Sequence, residues 1–542
     1  MKRVLIIDGY VDEPSGLGVP PYLSPYPRMI WGAMLESGVE CEYRTIDHWR
    51  RDGFASLPDA SHLVLLGGAI VPGKYLRTMP ASMKEFASIS GEFRKRSGKM
   101  SILTGPVARF LHPSLDVDHV LSRDADAFLF DLFSKAAGED RWRTQEEWER
   151  WSERGAAMVA KHPDFPNPLI AEIELMRSCV RYVNGGCSFC TETMYGIPKF
   201  RDEASIVKEI ATMDSLGLKN FRLGMISCTF TYKATGVGES ETPAPNPTAW
   251  KKLLEGIRAS SSPRVLHTDN ANPAVMMKNV EATREVLKLL VQHCTAGNVL
   301  SMGLESADPH VTKVNRLNTT PDEVREAVRL VNEYGRERGE NGMPKLLPGI
   351  NLISGLDGET KSTFDHNFRF LKSILDEDLW VRRINIRQAA AWRREFDAYH
   401  PREFRRFKER VREEIDREML KRTVPEGTVL RNVFMELKMG GLNYGRQIGS
   451  YPILVGVPYS TPLDRFVDLT VTGHGPRSLT GVEFPFPINT APFSAIKALP
   501  GIGEKRAARI FRARPLENEA AIRECLDDPA VADRILPLVE VR

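Results

Sequence analysis

"PLIAEIELMRSCVRYVNGGCSFCTE" (residues 168–192) joins an apolar run of strand character to a loop with three cysteines, Cys179, Cys187 and Cys190. The run is short, rich in branched apolar residues and ends where the polar loop begins, which reads as a buried strand. The chain has seven cysteines, the others being Cys41, Cys228, Cys294 and Cys525. That number is odd and too sparse for a secreted disulfide scaffold, so a reducing cytosol is the expected setting. Thiolates are soft ligands for zinc or iron–sulfur centres, and three on one loop can converge on a single site. A structural zinc site closes its tetrahedron with four protein ligands; no nearby histidine or fourth cysteine completes one here, so the set leaves a position open.

Outward from this loop the alternation continues. Strand candidates at 220–227, 264–270, 298–306, 346–356 and 379–388 are separated by helical stretches such as 203–217, 282–294 and 321–339. Six β/α units over 168–390 predict a partial parallel barrel with its chemistry at the carboxyl ends of the strands. Upstream, residues 1–115 read as a Rossmann-like α/β domain, with strands at 3–8, 62–70 and 100–106 and a helix from about 28 to 36. Residues 116–167 read as a helical linker whose charged "EDRWRTQEEWERWSERG" (139–155) is a solvated face. Downstream are a charged helical connector (391–425), a small antiparallel β-barrel (426–489) and a helical terminus (490–542). Lys plus Arg number 74 against 71 for Asp plus Glu, so a net charge of +3 identifies no partner and only local patches can. The four-residue apolar run near the start is too short for a signal peptide, and no stretch of ~20 apolar residues occurs. The chain is expected to be cytoplasmic and not to span a membrane.

The stretch "RSCVRYVNGGCSFCTE" (177–192) resembles the cluster loop of the radical S-adenosylmethionine (SAM) superfamily, with the usual Cys-x3-Cys-x2-Cys expanded to Cys-x7-Cys-x2-Cys. The resemblance implies a 4Fe-4S cluster on Cys179, Cys187 and Cys190, with SAM at the free iron and Phe189 against the adenine. It further implies reductive cleavage of SAM to a 5′-deoxyadenosyl radical that abstracts a substrate hydrogen. "RLGMIS" (222–227) holds the second-strand position, where Gly224 would offer backbone to the methionine amino group; the Glu common in that motif is missing. "LHTDNANP" (266–273) gathers His267, Asp269, Asn270 and Asn272, residue types that bind a cofactor or build a turn. "MGLESADP" (302–309) resembles the fourth-strand segment in which Glu305 and Ser306 would face the ribose or methionine moiety. In "PGINLISGLDGET" (348–360), Gly355 and Gly358 suit a tight turn, and Glu359 and Thr360 suit a helix start.

The first domain, through "VPPYLSPYPRMIWGAMLESGVECEYRTID" (19–47), resembles the cobalamin-binding group of the superfamily. It has no Asp-x-His-x-x-Gly, so cobalamin without a lower-axial histidine and a domain that keeps only the shape both stay open. Gly67 and Gly68 suit close ligand approach or a tight turn. "LPGIGEKRAARI" (499–510) resembles a helix-hairpin-helix motif: Gly501 and Gly503 would offer amides to a phosphate, with Lys505, Arg506 and Arg509 adding charge. The same hairpin also suits protein packing. The 426–489 barrel resembles a TRAM-type RNA-binding appendage. Together these features imply a radical SAM enzyme that modifies a nucleic acid such as tRNA by methyl or methylthio transfer, fed electrons by a ferredoxin or flavodoxin. The alternatives are a radical SAM enzyme acting on a small molecule or protein, and a non-enzymatic iron–sulfur protein that binds nucleic acid.

Overall fold

The structure is a computed structural model that describes residues 2–13, 15–68, 76–97, 99–111, 113–391, 393–396 and 399–541. Runs such as Arg3–Asp8, apolar on both faces, form a five-stranded parallel sheet in the spatial order Glu40–Thr45, Arg3–Asp8, His62–Leu66, Met100–Thr104, His119–Val120. This is the flavodoxin-like doubly wound order 2-1-3-4-5. The expected strand tail at Ala69 and Ile70 lies outside the described residues. The border expected at residue 115 shifts, because the fifth strand comes from the segment read as a linker. The linker's helices Ala125–Lys135 and Gln145–Gly155 pack on helix Pro25–Glu36. Two glycines set that approach: a Cβ on Gly32 would lie 2.1 Å from the Trp151 carbonyl oxygen, and one on Gly155 would lie 1.8 Å from that of Arg28.

Six strand positions then form the barrel. Tyr22–Leu23, Ile170–Glu174, Asn220–Gly224 and Val265–His267 make one parallel half-sheet, and Asn270–Ala271, Asn298–Glu305, Leu346–Ser354 and Arg383–Gln388 make the other. The third strand breaks between His267 and Asn270, and its two pieces pair into different halves. Tyr22–Leu23 is an addition from the N-terminal unit, in register with Ile170 and Ala171. Just after it, buried Arg28 reaches Glu209 at 3.0 Å and the Glu172 carbonyl at 2.5 Å. Helices between the strands start on side-chain caps, for example Asp202 before Glu203–Ser215 and the Thr320/Glu323 capping box before Pro321–Gly335.

Five C-terminal strands close into a barrel in the order Val429–Met439, Leu442–Gln447, Leu454–Val457, Ser478–Glu483, Phe466–His474. Its interior (Val433, Val455, Leu469) is continuous with Ile496, Leu499 and Ile510 of the terminal helices, so residues 426–542 share one core. The loop 448–453 enters the base of the parallel barrel. There Ser450 donates its amide to His267 Nδ1 at 3.1 Å, Tyr22 donates its hydroxyl to the Ser450 carbonyl at 2.7 Å, and Tyr451 donates to Asp269 at 2.9 Å. Asp269 pairs in turn with Arg222, and Arg222 with Glu172, all inside the barrel and each no more than 2 % exposed. No helix among the described residues is long and apolar enough to cross a membrane.

The N-terminal unit meets the cysteine loop through the Asp12–Glu13/Gly16–Leu17 hairpin. Glu13 accepts hydrogen bonds from Tyr26 at 2.9 Å and Tyr195 at 3.1 Å, while Ser15 donates to Glu192 at 2.8 Å. Burial pushes the Glu13 carboxyl up to about 7, against the pull of Arg109 and the two phenols.

Two outcomes are expected. Arg222→Met leaves two carboxylates facing each other in the core and lowers the unfolding free energy by about 3–5 kcal/mol, measured by urea titration. A carboxyl raised in the folded state keeps its proton after the unfolded chain has lost its own, so stability falls as pH rises from about 4.5 to about 7. Glu13→Gln removes one proton's share of that slope, ~1.4 kcal/mol per pH unit, in unfolding curves taken across the interval.

Candidate active site

The cysteine loop leaves the carboxyl end of the first barrel strand. Its base is pinched by the antiparallel pairs Met176–Phe200 and Arg177–Lys199. Ser178 follows with φ 79° and donates its hydroxyl to the Gly196 carbonyl. The seven residues between the first two cysteines form a single helical turn, Val180–Asn184, and then Gly185 and Gly186 at φ 80° and 66°. A left-handed glycine pair reverses the chain at low steric cost and returns Cys187 beside Cys179, which accounts for the expanded spacing. The Cys190 amide then donates to the Cys187 carbonyl at 3.3 Å, with half-buried Phe189 on the turn between them.

Polar anchors hold the loop from three sides. Ser188 donates to Asn315 at 2.7 Å; Arg181 donates to Glu241 at 2.9 Å, to the Arg316 carbonyl at 2.8 Å and to the Cys187 sulfur at 2.8 Å. Beyond the last barrel strand, Arg393 donates to the Cys187 and Cys190 carbonyls at 3.0 and 3.1 Å. Burial pushes all three thiols up, Cys187 to about 11 despite Arg181, and each also feels its neighbours' charge. A cationic centre is what converts such thiols to thiolates.

Among the described residues no three His, Cys, Asp or Glu side chains meet at the distance that holds one metal ion. The thiols interact electrostatically without converging on an ion-sized point. Three soft thiol donors carried on one loop are a donor set that an iron–sulfur cluster can use.

Facing the thiols, Glu305 ends the fourth strand at φ 65°. Its Oε2 is buried with no hydrogen-bond partner, and burial raises the carboxyl to about 8 while Arg387 draws it down. Its charge is felt at Cys187. Gly303 makes room: a Cβ there would stand 2.7 Å from Glu305 Oε1. Half-buried Asn351, Asn385 and Arg387 continue this polar lining down the strands, with Ser301 and Asn351 hydrogen-bonded at 3.0 Å.

The other expected residues have more local partners. Ser306 accepts from the Asp308 amide at 3.2 Å in a turn. Gly224 sits where a Cβ would lie 1.8 Å from Glu172 Oε1. Asn270 donates to the Ile226 carbonyl at 3.2 Å. Asn272 caps helix Pro273–Lys278 through the amides of Ala274 and Val275, and its own amide donates to Cys228 Sγ at 3.2 Å. His267 and Asp269 are engaged by the C-terminal loop at the barrel base. Glu359 accepts from Ser354 and the Gly355 amide at 3.0 Å, and Thr360 precedes helix Lys361–Asp376. Sequence reasoning missed Arg181, Arg393, Glu172 and Arg222. The last two carried a signal, being charges inside otherwise apolar strand runs.

At the switch point of the first sheet, a Cβ on Gly68 would be 2.5 Å from both the Tyr10 carbonyl oxygen and Val11 Cα; Asp8 is taken by the Tyr10 amide and the Tyr43 hydroxyl. The described strand ends touch there. In the C-terminal hairpin Gly501 takes φ 76° and Gly503 is open on its Cβ side. Arg506 and Arg509 both close on Asp527, at 2.6 and 2.8 Å, which leaves Lys505 as the hairpin cation without an ion pair among the described residues.

The family description "Radical SAM superfamily" matches residues 173–371. An uncharacterised protein of Methanocaldococcus jannaschii is 46% identical over 508 residues, covering 88% of this chain and 93% of that one. An uncharacterised protein of Archaeoglobus fulgidus is 38% identical over 535 residues, 96% of this chain and 97% of that one. Among solved structures, the cobalamin-dependent S-adenosylmethionine radical enzyme OxsB aligns with a TM-score of 0.48 at 15% identity, over 68% of this chain and 52% of that one. With its cysteine loop at the mouth of a parallel barrel inside the matched segment, the chain belongs to the radical SAM superfamily, in one family with these archaeal proteins.

Proposed function

We propose that the protein is a radical SAM enzyme that holds a 4Fe-4S cluster on Cys179, Cys187 and Cys190 and modifies a nucleic acid, tRNA among the candidates. The observation that carries the first half is the loop itself: three half-buried thiols that feel one another's charge at the carboxyl end of a barrel strand, with the Glu305 Oε2 buried and without a hydrogen-bond partner opposite them. When bound and reduced, such a cluster with SAM supplies one-electron cleavage of the sulfonium and a 5′-deoxyadenosyl radical. The chain's own residues do the positioning. Arg181 steadies the Cys187 thiolate, and Arg393 fixes the backbone of the second and third cysteines. Glu305 and Arg387 present a carboxyl and a cation at the mouth, able to hold the amino and carboxylate ends of a methionine moiety. Electrons are supplied by a ferredoxin or flavodoxin.

The nucleic-acid half rests on the appended C-terminal unit, a small β-barrel sharing a core with a Gly501/Gly503 hairpin. A second reading, a small-molecule substrate, draws on the half-buried polar residues Asn351, Asn385 and Arg387 of the lumen.

After anaerobic reconstitution and reduction, the protein is expected to release 5′-deoxyadenosine from SAM. Cys187→Ala is expected to lose iron content, the cluster's absorption and electron paramagnetic resonance signal, and this release together; retention of the cluster in that variant would refute the ligand assignment. Deuterium reaching 5′-deoxyadenosine from labelled RNA identifies a nucleic-acid substrate, and transfer from labelled metabolites alone overturns that half. RNA affinity is also expected to fall steeply with salt, with log K linear in log salt at a slope of about −0.7 per phosphate neutralised.

A further inference from the structure

Three elements meet beside the barrel base and bring together arginines that form no ion pair among the described residues. Arg382 and Arg383 open the last barrel strand; Lys408 and Arg412 lie on the connector helices; Arg477 tips the turn between the fourth and fifth strands, in chain order, of the C-terminal barrel. The arrangement is locked. Arg382 donates to the Tyr451 carbonyl at 2.6 Å, Arg383 lies over the Tyr451 ring at 4.9 Å, and the Val381 amide contacts Met419 Sδ at 3.2 Å. The turn is tied down as His474 Nε2 meets the Val424 carbonyl at 2.7 Å and Ser478 pairs with Leu454. One carboxylate, Asp416, lies among them and feels Arg412, Arg477, Arg382 and Arg383 at once.

None of these six groups makes an ion pair among the described residues, although 53 such pairs are present elsewhere. The Nε atoms of Arg382 and Arg383 are buried with no hydrogen-bond partner. Five cations against one carboxylate leave an excess of four positive charges in one cleft, more than the chain's whole net charge of +3. The strain of that excess registers on the groups themselves: burial and neighbouring guanidiniums pull Arg382 down to about 9, and Arg383, Arg477 and Lys408 move the same way. Folding brings these charges together and sets a single carboxylate, Asp416, against them. Arg477 is exposed and the others are half-buried, so the cleft is open to a ligand from solvent.

We infer that this interdomain cleft is an anion site for adjacent phosphate groups, held by Arg382, Arg383, Arg412 and Arg477, each offering the planar donor fork that suits phosphate oxygens. The hairpin lacks this character, because two of its three cations are already closed on Asp527. The phosphates belong either to an RNA backbone or to a free phosphorylated compound, and the inference does not depend on the radical chemistry.

The test uses the full-length protein, with calorimetric titration of inorganic pyrophosphate and of a short single-stranded RNA. Wild type is expected to bind pyrophosphate saturably and to rise in melting temperature with it. Arg412→Gln/Arg477→Gln, at one half-buried and one exposed position, is expected to weaken binding at least about tenfold. It should melt no lower than wild type without ligand, which separates lost binding from lost folding. Asp416→Asn, which removes the opposing charge, is expected to tighten binding by about fivefold. RNA that competes with pyrophosphate and weakens in the double variant places a nucleic-acid backbone in the cleft; pyrophosphate binding without RNA competition points to a free phosphorylated compound. The proposal is overturned if wild type binds neither probe, or if the double variant binds pyrophosphate as wild type does.

Discussion

The barrel depends on one buried chain of charge: Glu172 to Arg222 to Asp269 to the Tyr451 hydroxyl. The first three residues come from three successive strand positions and the fourth from a loop nearly two hundred residues on. Burying ions without partners would cost several kcal/mol each, so every member needs the others in place. Neighbouring choices follow from it. Gly224 is fixed because any side chain would strike the Glu172 carboxylate, and the break after His267 lets the third strand serve Asp269 to the core while its second piece joins the other half-sheet.

The cysteine loop shows how a reactive site is made from ordinary parts. A two-pair ladder closes its base, a helical turn takes up the extra length, and two left-handed glycines bring the chain back. Arg393 from outside the loop then holds the Cys187 and Cys190 carbonyls, and Arg181 within the loop reaches out to the Arg316 carbonyl, so the thiols sit on backbone that is itself anchored. The thiols lie in surroundings that resist their ionisation, and a metal centre would supply the charge those surroundings lack.

Much of this was legible before any coordinates. The apolar runs gave the parallel sheets because a strand covered on both faces has little room for alternation. The cysteine spacing pointed to an open coordination position, and Glu305 was singled out by its motif. Other features depend on distant partners. Tyr22–Leu23 is two residues long, too short for any periodicity, and is a strand only because Ile170–Ala171 is beside it. Asn272 and Gly224 looked available for a ligand because sequence does not show a cap's amides or a facing carboxylate. Glu172 and Arg222 were visible as charges in apolar runs, yet which charge answers which is a matter of register. The arginines of the interdomain cleft lie on three separated segments, and only folding brings them together.

The strand Tyr22–Leu23 also bears on the order in which the molecule is made. It leaves the ribosome before its partner at Ile170, which follows only after the whole first sheet, and the loop that seals the barrel base comes later still. A growing chain therefore carries an unfinished barrel until Tyr451 has been made. Premature termination anywhere before Tyr451 leaves Asp269 and His267 without their final contacts, so a truncated product would hold its cysteine loop on an unsealed scaffold. Synthesis through Tyr451 is in this way a precondition for a sealed barrel.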